Sequence, residues 1–224
     1  MNTAFLTGIA NGFDVALAKA FHENGWKVCA GDAGMGSAAR AFAQIVGFDP
    51  DNPESIDGAC TRLLADPGHI DIYVDTSDYR SPGDGFSLSG DIDYDVMREV
   101  YTANVLRPIA AYEGFLPLLR AGETKRLCFV TGAGASNNLC ADVSGYSYNM
   151  AKAGLHNFLQ IVKNRLMPEG FTLRAYDSCR GKLSDELSAA GAFNYFTRRR
   201  GVEGGRDDEP KFVMRDAFGR HMSW

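Results

Sequence analysis

The feature that most constrains the fold of this chain is a regular alternation of short apolar runs with longer amphipathic segments. Each apolar run has the length of a strand, and the segments between runs repeat apolar residues at helical spacing, as Phe13 to Glu23 does. Strands that alternate with helices imply a parallel sheet with helices on both faces and right-handed crossovers. We therefore predict one α/β domain of the doubly wound, Rossmann-like type over residues 1–224. Its first strand should be central, with Gly8 at the carboxyl end.

The same patterns predict the order of the elements. Strands are expected at Ala4–Thr7, Trp26–Ala30, Val46–Phe48, Ile70–Val74, Leu127–Thr131, Phe171–Tyr176 and Phe212–Met214. Helices are expected at Phe13–Glu23, Ser37–Val46, Ser55–Ala65, Asp93–Leu119 and Tyr146–Leu166, with a kink at Pro108. The charge-dense stretch at 198–210 is predicted to be a solvated loop before the short C-terminal strand. No linker rich in Pro, Gly or Ser divides the chain.

The charge and composition exclude several classes of function. The formal net charge is −5, whereas nucleic acids and anionic membranes attract basic surfaces. The first residues lack the pattern of a signal peptide, and no apolar run approaches the roughly 20 residues of a membrane helix. The five cysteines are scattered without a Cys-x-x-Cys pair, which is typical of free thiols in a reducing compartment. We expect a cytoplasmic protein with a small-molecule substrate and no metal site.

A glycine-containing turn follows the first predicted strand and opens the first helix. Gly8 and Gly12 let the backbone come close to a ligand, and the helix start offers unpaired N–H groups to a phosphate. Two glycines in this place are equally compatible with a tight turn and a helix start alone. Asp14 lies in the first helical turn, where a carboxylate facing the phosphates would repel them and one facing solvent would be harmless.

The sharpest pattern in the sequence is Tyr148 and Lys152, four residues apart on one predicted helix. This spacing places the phenol and the ammonium group on the same face. A free phenol titrates near pH 10, and a neighbouring cation lowers its pKa so that it can exchange a proton near neutrality. In an isolated helix the same spacing would also describe a core aromatic beside an exposed lysine.

Together these residues resemble the short-chain dehydrogenase/reductase family over nearly the whole chain. The resemblance rests on the Thr7–Gly12 turn, then Asn104 followed by Val105, then Tyr148 and Lys152, in this order. It implies a nicotinamide dinucleotide cofactor, Tyr148 as general acid and base, and Lys152 lowering the tyrosine pKa and touching the nicotinamide ribose. It also implies that Asn104 keeps a water in the proton relay. Taken by itself, Asn104 would be a solvent-facing helix residue.

The resemblance also suggests which dinucleotide is bound. Asp32 follows the second strand, where the family carries the acid that hydrogen-bonds the adenosine ribose, so NAD is expected rather than NADP. Asp49 matches the family's aspartate near the adenine. Each is also an ordinary turn residue, Asp32 before Gly34 and Asp49 before Pro50.

Four positions depart from the family pattern. The serine that holds the substrate carbonyl falls at Gly132, with Ser136 as the nearest later hydroxyl and Thr131 expected to point away. The Asn-Asn-Ala-Gly segment is replaced by Asp75–Asp78. Arg180 and Gly181 replace Pro-Gly beside the nicotinamide, and Asp14 replaces the third glycine of the phosphate turn.

These departures leave two hypotheses. The first is a divergent oxidoreductase that passes a hydride between nicotinamide and a carbonyl or secondary alcohol. The second is a non-catalytic subunit or binding module that pairs with an active relative. The substrate is unreadable, although in the family the segment corresponding to Lys182–Phe196 covers it. The long helices around Asn104 and Tyr148 resemble those through which relatives assemble, so a homomeric or mixed oligomer is expected.

Overall fold

The computed structural model describes residues 1–85, 92–198, 208 and 210–223. Its strands are β1 (Thr3–Ile9), β2 (Lys27–Asp32), β3 (Gln44–Ile45), β4 (Ile72–Asp75), β5 (Arg126–Thr131), β6 (Thr172–Asp177), β7 (Val213–Asp216) and β8 (His221–Met222). They form one sheet in the order β3-β2-β1-β4-β5-β6-β7-β8, parallel except for the antiparallel pair of β7 and β8. The predicted fold class is confirmed, with β1 inside the sheet and Gly8 near its carboxyl end.

Helices cover both faces of this sheet. They are α1 (Gly12–Glu23), α2 (Gly36–Ala39), α3 (Pro53–Ala65), α4 (Tyr94–Tyr101), α5 (Arg107–Ala121), α6 (Tyr146–Leu166) and α7 (Asp185–Thr197). Successive strand residues point to opposite faces, so Phe5 of β1 packs with α3, α5 and α6, whereas Leu6 packs with α1 and α7. Both faces are buried, which explains why the strands are nearly continuous apolar runs. No helix among the described residues is long and apolar enough to cross a membrane.

Three predicted elements differ from the structure. The helix predicted for Ser37–Val46 stops at Ala39, and the strand predicted for Val46–Phe48 is instead Gln44–Ile45, paired with β2. The helix predicted for Asp93–Leu119 is one helical run in which a π-helical turn, Thr102–Leu106, separates α4 from α5 just before Pro108. Helix α7 was not predicted. Most of the loop predicted at 198–210 lies outside the described residues.

Candidate functional site

The site lies at the carboxyl edge of the sheet, where β1, β4 and β6 end beside the first turns of α6. A cavity of about 280 Å³ opens there, and its lining runs from the turn after β1 to the loop after β4. Parallel α/β sheets bind ligands at this edge, where the direction of winding reverses. Gly8 and Asp32, two of the residues predicted to bind the cofactor, contribute to the lining, and Asp75 to Tyr79 form the far wall.

The glycines of the turn between β1 and α1 are in close contact with neighbouring side chains. An added Cβ on Gly12 would lie 2.1 Å from Oδ2 of Asp185, and one on Gly8 would lie 2.8 Å from the Ala33 Cβ. A larger residue at Gly12 would therefore displace the Asp185 side chain, and one at Gly8 would displace Ala33 in the β2–α2 loop. Both glycines allow the backbone to lie close to neighbouring atoms. At Gly12, however, the neighbour is the Asp185 carboxylate of the chain itself.

Asp14 does not face solvent, and its side chain occupies an N–H group of the turn between β1 and α1. Its side chain is buried, and Oδ2 accepts a hydrogen bond of 2.9 Å from the backbone N–H of Ala10. Asn11 caps α1 in return, accepting from the Asp14 N–H at 3.2 Å. Burial raises the pKa of Asp14 to about 7, although backbone hydrogen bonds from Ala10 and Asn11 oppose the rise. The carboxylate therefore uses donors that a phosphate would otherwise take.

The two aspartates expected at the adenosine end differ in position. Asp32 is exposed at the cavity, where Oδ1 accepts hydrogen bonds from the N–H groups of Gly34 and Gly36, and these bonds lower its pKa. Asp49 is not among the residues that line the cavity, and its place near the adenine stays a prediction. It forms a turn, accepting from the Asp51 N–H at 2.9 Å. Phe48 and Pro50, on either side of Asp49, line the cavity in its place.

Tyr148 is buried and hydrogen-bonded to a carboxylate that sequence reasoning did not assign to it. Its hydroxyl donates to Oδ1 of Asp78 at 2.5 Å, and Arg180 donates to Oδ2 of the same carboxylate at 2.8 Å. Burial raises the pKa of the Tyr148 phenol well above its ordinary range, and the Asp78 charge raises it further. For Asp78, burial acts in the same direction, but Lys152 and the bonds from Tyr148 and Arg180 hold its pKa below the ordinary value.

Lys152 is completely buried one helical turn beyond Tyr148. Its ammonium group lies 5.8 Å from the centre of the tyrosine ring and donates to the backbone oxygens of Ser77 and Val130. Burial lowers the lysine pKa, whereas Asp78 and Asp75 raise it. The pair was predicted to share a site, and it does. In this arrangement, however, burial and then the Asp78 charge determine the pKa of Tyr148, so that pKa is raised rather than lowered.

Asn104 lies on the π-helical turn, and its side chain is hydrogen-bonded to the loop after β4. Its amide nitrogen donates to the backbone oxygens of Tyr79 at 2.7 Å and Val100 at 3.0 Å, and its oxygen accepts from the Tyr79 N–H at 3.1 Å. The side chain is therefore buried rather than solvent-facing, and it positions the segment that carries Asp78. A π-helical turn widens the backbone locally and is frequent at functional sites.

None of the hydroxyls around Gly132 replaces the missing serine. Ser136 donates to the backbone oxygen of Ser223 at 2.6 Å, and Thr131 shares a 2.7 Å hydrogen bond with His156 of α6. Gly132 has extended backbone, and an added Cβ there would meet nothing closer than Asp177 Oδ1 at 3.9 Å. A serine would therefore be accommodated at this position.

A nicotinamide dinucleotide needs space on both sides of the Gly8 turn. The cavity on one side fits an adenosine, since Phe48 and Pro50 offer apolar surface and Asp32 offers a carboxylate. On the other side the gap bounded by Asp14, Asp78 and Asp185 is only about 20 Å³. The residues that line the larger cavity thus fit the adenosine half of the dinucleotide. The residues around the gap do not fit the nicotinamide half while Asp78 accepts the hydrogen bond from the Tyr148 hydroxyl.

Solved structures with the same fold align along the whole chain. A carbonyl reductase from Pseudomonas aeruginosa in complex with NADP has a TM-score of 0.81 over 100% of both chains, at 20% identity. A short-chain dehydrogenase/reductase from Serratia marcescens has a TM-score of 0.75 over 96% of each chain, at 14% identity. The resemblance that the motifs indicated is confirmed for the fold.

Curated proteins match this chain in sequence over part of their length, as two of them show. The C-signal of Myxococcus xanthus is 37% identical over 82 residues, which are 37% of this chain and 49% of that protein. An uncharacterized oxidoreductase of Saccharomyces cerevisiae is 26% identical over 167 residues, 74% of this chain and 63% of that protein. The chain thus spans about half to two thirds of the length of these relatives. No family model matches the chain.

Proposed function

We propose that this chain, which has the fold of the short-chain dehydrogenase/reductases, is a nicotinamide-dependent oxidoreductase acting on a carbonyl compound or secondary alcohol. The observation that carries the proposal is the buried pair of Tyr148 and Lys152, at the sheet edge where the cavity of the Gly8 turn ends. A proton donor beside a buried cation is what general acid catalysis at a carbonyl needs. The carbonyl reductase among the aligned structures and the oxidoreductase among the relatives support the same reaction class.

The roles proposed for the residues follow from their contacts. Tyr148 would give its hydroxyl proton to the carbonyl oxygen, and a nicotinamide cofactor, with its adenosine half in the cavity beside Gly8 and Asp32, would supply the hydride. Asp78 has to move away from the phenol first, because its carboxylate accepts the hydrogen bond that the hydroxyl would otherwise donate to the carbonyl oxygen. Without that carboxylate, the Lys152 charge stabilises a phenolate and lowers the tyrosine pKa. Asn104 holds the Tyr79 backbone and so fixes the loop in place.

Titration of the purified protein with NADH and with NADPH, followed by cofactor fluorescence, tests the proposal directly. We expect saturable binding of at least one of them below millimolar concentration. Binding of neither at millimolar concentration would end the proposal and leave the fold assignment intact.

A non-catalytic role is the second candidate, because two carboxylates of the chain lie where a cofactor phosphate and a substrate carbonyl would bind. Asp14 takes backbone donors of the phosphate turn, and Asp78 takes the phenol. This candidate requires that the wild type bind no dinucleotide and that it co-purify with a second chain of the same fold. The double substitution Asp14→Gly and Asp78→Gly should then create weak NADH binding, since it removes both carboxylates.

The first prediction concerns the choice of dinucleotide. NADH should bind at least about tenfold more tightly than NADPH, because a carboxylate a few ångströms from a 2′-phosphate costs more than 1.4 kcal/mol. Asp32 is the exposed carboxylate at the cavity that we expect to cause this preference. Asp32→Ser should abolish the preference, and Asp57→Ser, an exposed aspartate on α3, serves as control. Equal affinities in the wild type would show that Asp32 does not face the ribose, in keeping with the NADP of the Pseudomonas structure.

The second prediction concerns assembly. Helices α4 and α6 expose Tyr94, Tyr101, Met150 and Ile161, which form an apolar face suited to a second copy or a related chain. Lysine at Met150 and Ile161 should convert the oligomer to monomer in light scattering after size exclusion. Leu187→Lys on α7 is the matched control, since Leu187 is equally exposed but lies on the opposite face of the sheet. A wild type that is monomeric at micromolar concentration would contradict the proposal.

A further inference from the structure

The cavity beside Gly8 has the size of a nucleoside. Its volume of about 280 Å³ lies at the lower end of the roughly 300–1,000 Å³ found for small-molecule sites. Phe48 and Pro50 offer apolar surface on which a flat base can pack, and Asp32 offers an exposed carboxylate that can accept hydrogen bonds from ribose hydroxyls. These contacts need no phosphate on the ligand.

Several backbone donors of the turn between β1 and α1 are already used by the chain. The Gly8 N–H donates to Oγ1 of Thr76 at 3.2 Å, and the Ala10 N–H donates to Oδ2 of Asp14 at 2.9 Å. The N–H of Asp14 in turn donates to the side chain of Asn11 at 3.2 Å. Phosphates at helix starts are held by N–H groups of this kind. A phosphate would therefore have to displace contacts of the chain before it could bind here.

Beyond the turn the space becomes narrow and acidic. The gap of about 20 Å³ holds roughly one water molecule. The described residues that line the cavity and the gap carry five carboxylates and two guanidiniums, those of Asp14, Asp32, Asp75, Asp78 and Asp185 and those of Arg107 and Arg180. Burial raises the pKa of Asp14 to about 7 and also raises that of Asp75, so the excess of negative charge is largest above pH 7. A phosphate that entered here would meet charges of its own sign.

The two guanidiniums are accompanied by carboxylates of the chain. Arg107 donates to both oxygens of Asp51 at 2.9 and 2.6 Å, and Arg180 donates to Asp78 at 2.8 Å. Each thus has a carboxylate beside it, which offsets its attraction for a phosphate. The other cations near Tyr148 lie elsewhere, with Lys152 buried outside both spaces and Arg80 in a second cavity, of about 440 Å³, together with Asp84 and Asp142.

We infer that in this arrangement the cavity beside Gly8 binds an uncharged nucleoside, and that phosphates on the nucleoside weaken its binding. The base packs on Phe48 and Pro50, and the ribose hydroxyls bind Asp32. This order of affinities is the reverse of what a free helix start gives, since unpaired N–H groups and the helix dipole favour a phosphate. The inference goes beyond the proposed function and does not require that a dinucleotide bind. Where a dinucleotide does bind, a free nucleoside competes with it for the same cavity.

Calorimetric titration at pH 8 with adenosine, AMP and ADP tests the order of affinities. Adenosine should bind below millimolar concentration, and both nucleotides should bind at least about tenfold more weakly, because Asp14 is ionised at this pH. In Asp14→Asn the nucleotides should bind roughly tenfold more tightly than to the wild type, whereas adenosine should be unaffected. Asp57→Asn, an exposed position of α3, should keep the wild-type order. A wild type that binds AMP or ADP as tightly as adenosine, or that binds no adenosine at millimolar concentration, would overturn the inference, and an Asp14→Asn variant with the wild-type order would contradict the part given to Asp14.

A second comparison locates the bound nucleoside. The affinity of 2′,3′-dideoxyadenosine should be roughly 10- to 100-fold below that of adenosine, because it lacks the hydroxyls that donate to Asp32. Asp32→Asn should weaken adenosine binding by a similar factor, and adenosine that binds this variant as well as the wild type would contradict the inference. The separate NADH titration distinguishes the two proposals. Adenosine binding without NADH binding would mean that only the proposed function fails, and NADH binding without adenosine binding would mean that only this inference fails.

Discussion

Replacement of Tyr148 by phenylalanine is expected to lower turnover by roughly 100- to 10,000-fold, the usual contribution of a general acid. The substitution removes the hydroxyl that donates to Asp78 and, in the proposed reaction, to the carbonyl oxygen. Binding of NADH should change little, because the phenol does not line the cavity that fits the adenosine. The measurement is steady-state reduction of a carbonyl substrate together with a separate NADH titration.

The matched control is Tyr112→Phe, because Tyr112 is a buried tyrosine of α5 outside both cavities. It should retain turnover. Unchanged turnover in Tyr148→Phe would show that another group supplies the proton, and loss of NADH binding would show that the variant has disturbed the site as a whole.

Asp78→Asn separates the role of the phenol from that of its neighbour. The Asp78 charge raises the pKa of Tyr148, so its removal should lower that pKa and move the basic limb of the pH–rate profile to lower pH. Gly132→Ser is the complementary change, since it places a hydroxyl where the space is free. Turnover should rise in this variant if carbonyl positioning limits the reaction.

The sequence predicted best those elements whose local pattern agrees with their burial. Helix α6 was predicted with its observed bounds, because its apolar positions recur at helical spacing. In α7 the sequence contains Gly191 and many small residues, and apolar residues are spread around the helix. Its burial against α1 is decided by tertiary contacts that local periodicity does not contain.

The site was predicted less completely because its contacts join distant parts of the chain. Tyr148 and Lys152 were found from a spacing of four on one helix, whereas Asp78 lies 70 residues before Tyr148 and 102 residues before Arg180. The sequence showed that Asp78 departs from the family pattern, but not which groups it meets. A signal was available, since a charged residue that replaces glycine beside a buried tyrosine needs a partner of opposite charge.

The last prediction concerns Asp14 and the stability of the fold. Its pKa is about 7 in the folded protein and near the ordinary 3.8 in the unfolded chain, so the folded state binds the proton more tightly. The contribution of Asp14 to the free energy of unfolding should therefore be largest below about pH 4, and it should decrease as the pH rises to about 7. The full loss is roughly 4 kcal/mol, at about 1.4 kcal/mol for each unit of pKa difference.

Asp14→Asn should remove this dependence, because the amide oxygen still accepts from the Ala10 N–H but no longer titrates. Urea unfolding of both proteins at a series of pH values isolates the contribution, since other buried carboxylates such as Asp75 cancel in the difference. The variant should become increasingly more stable than the wild type between about pH 4 and 7, and Asp57→Asn on α3 should show no such trend. The same ionised carboxylate competes with a pyrophosphate for the Ala10 amide, so the Kd of the wild type for NADH should rise over this pH range. A constant stability difference across the range would mean that Asp14 is already ionised in the folded protein at low pH.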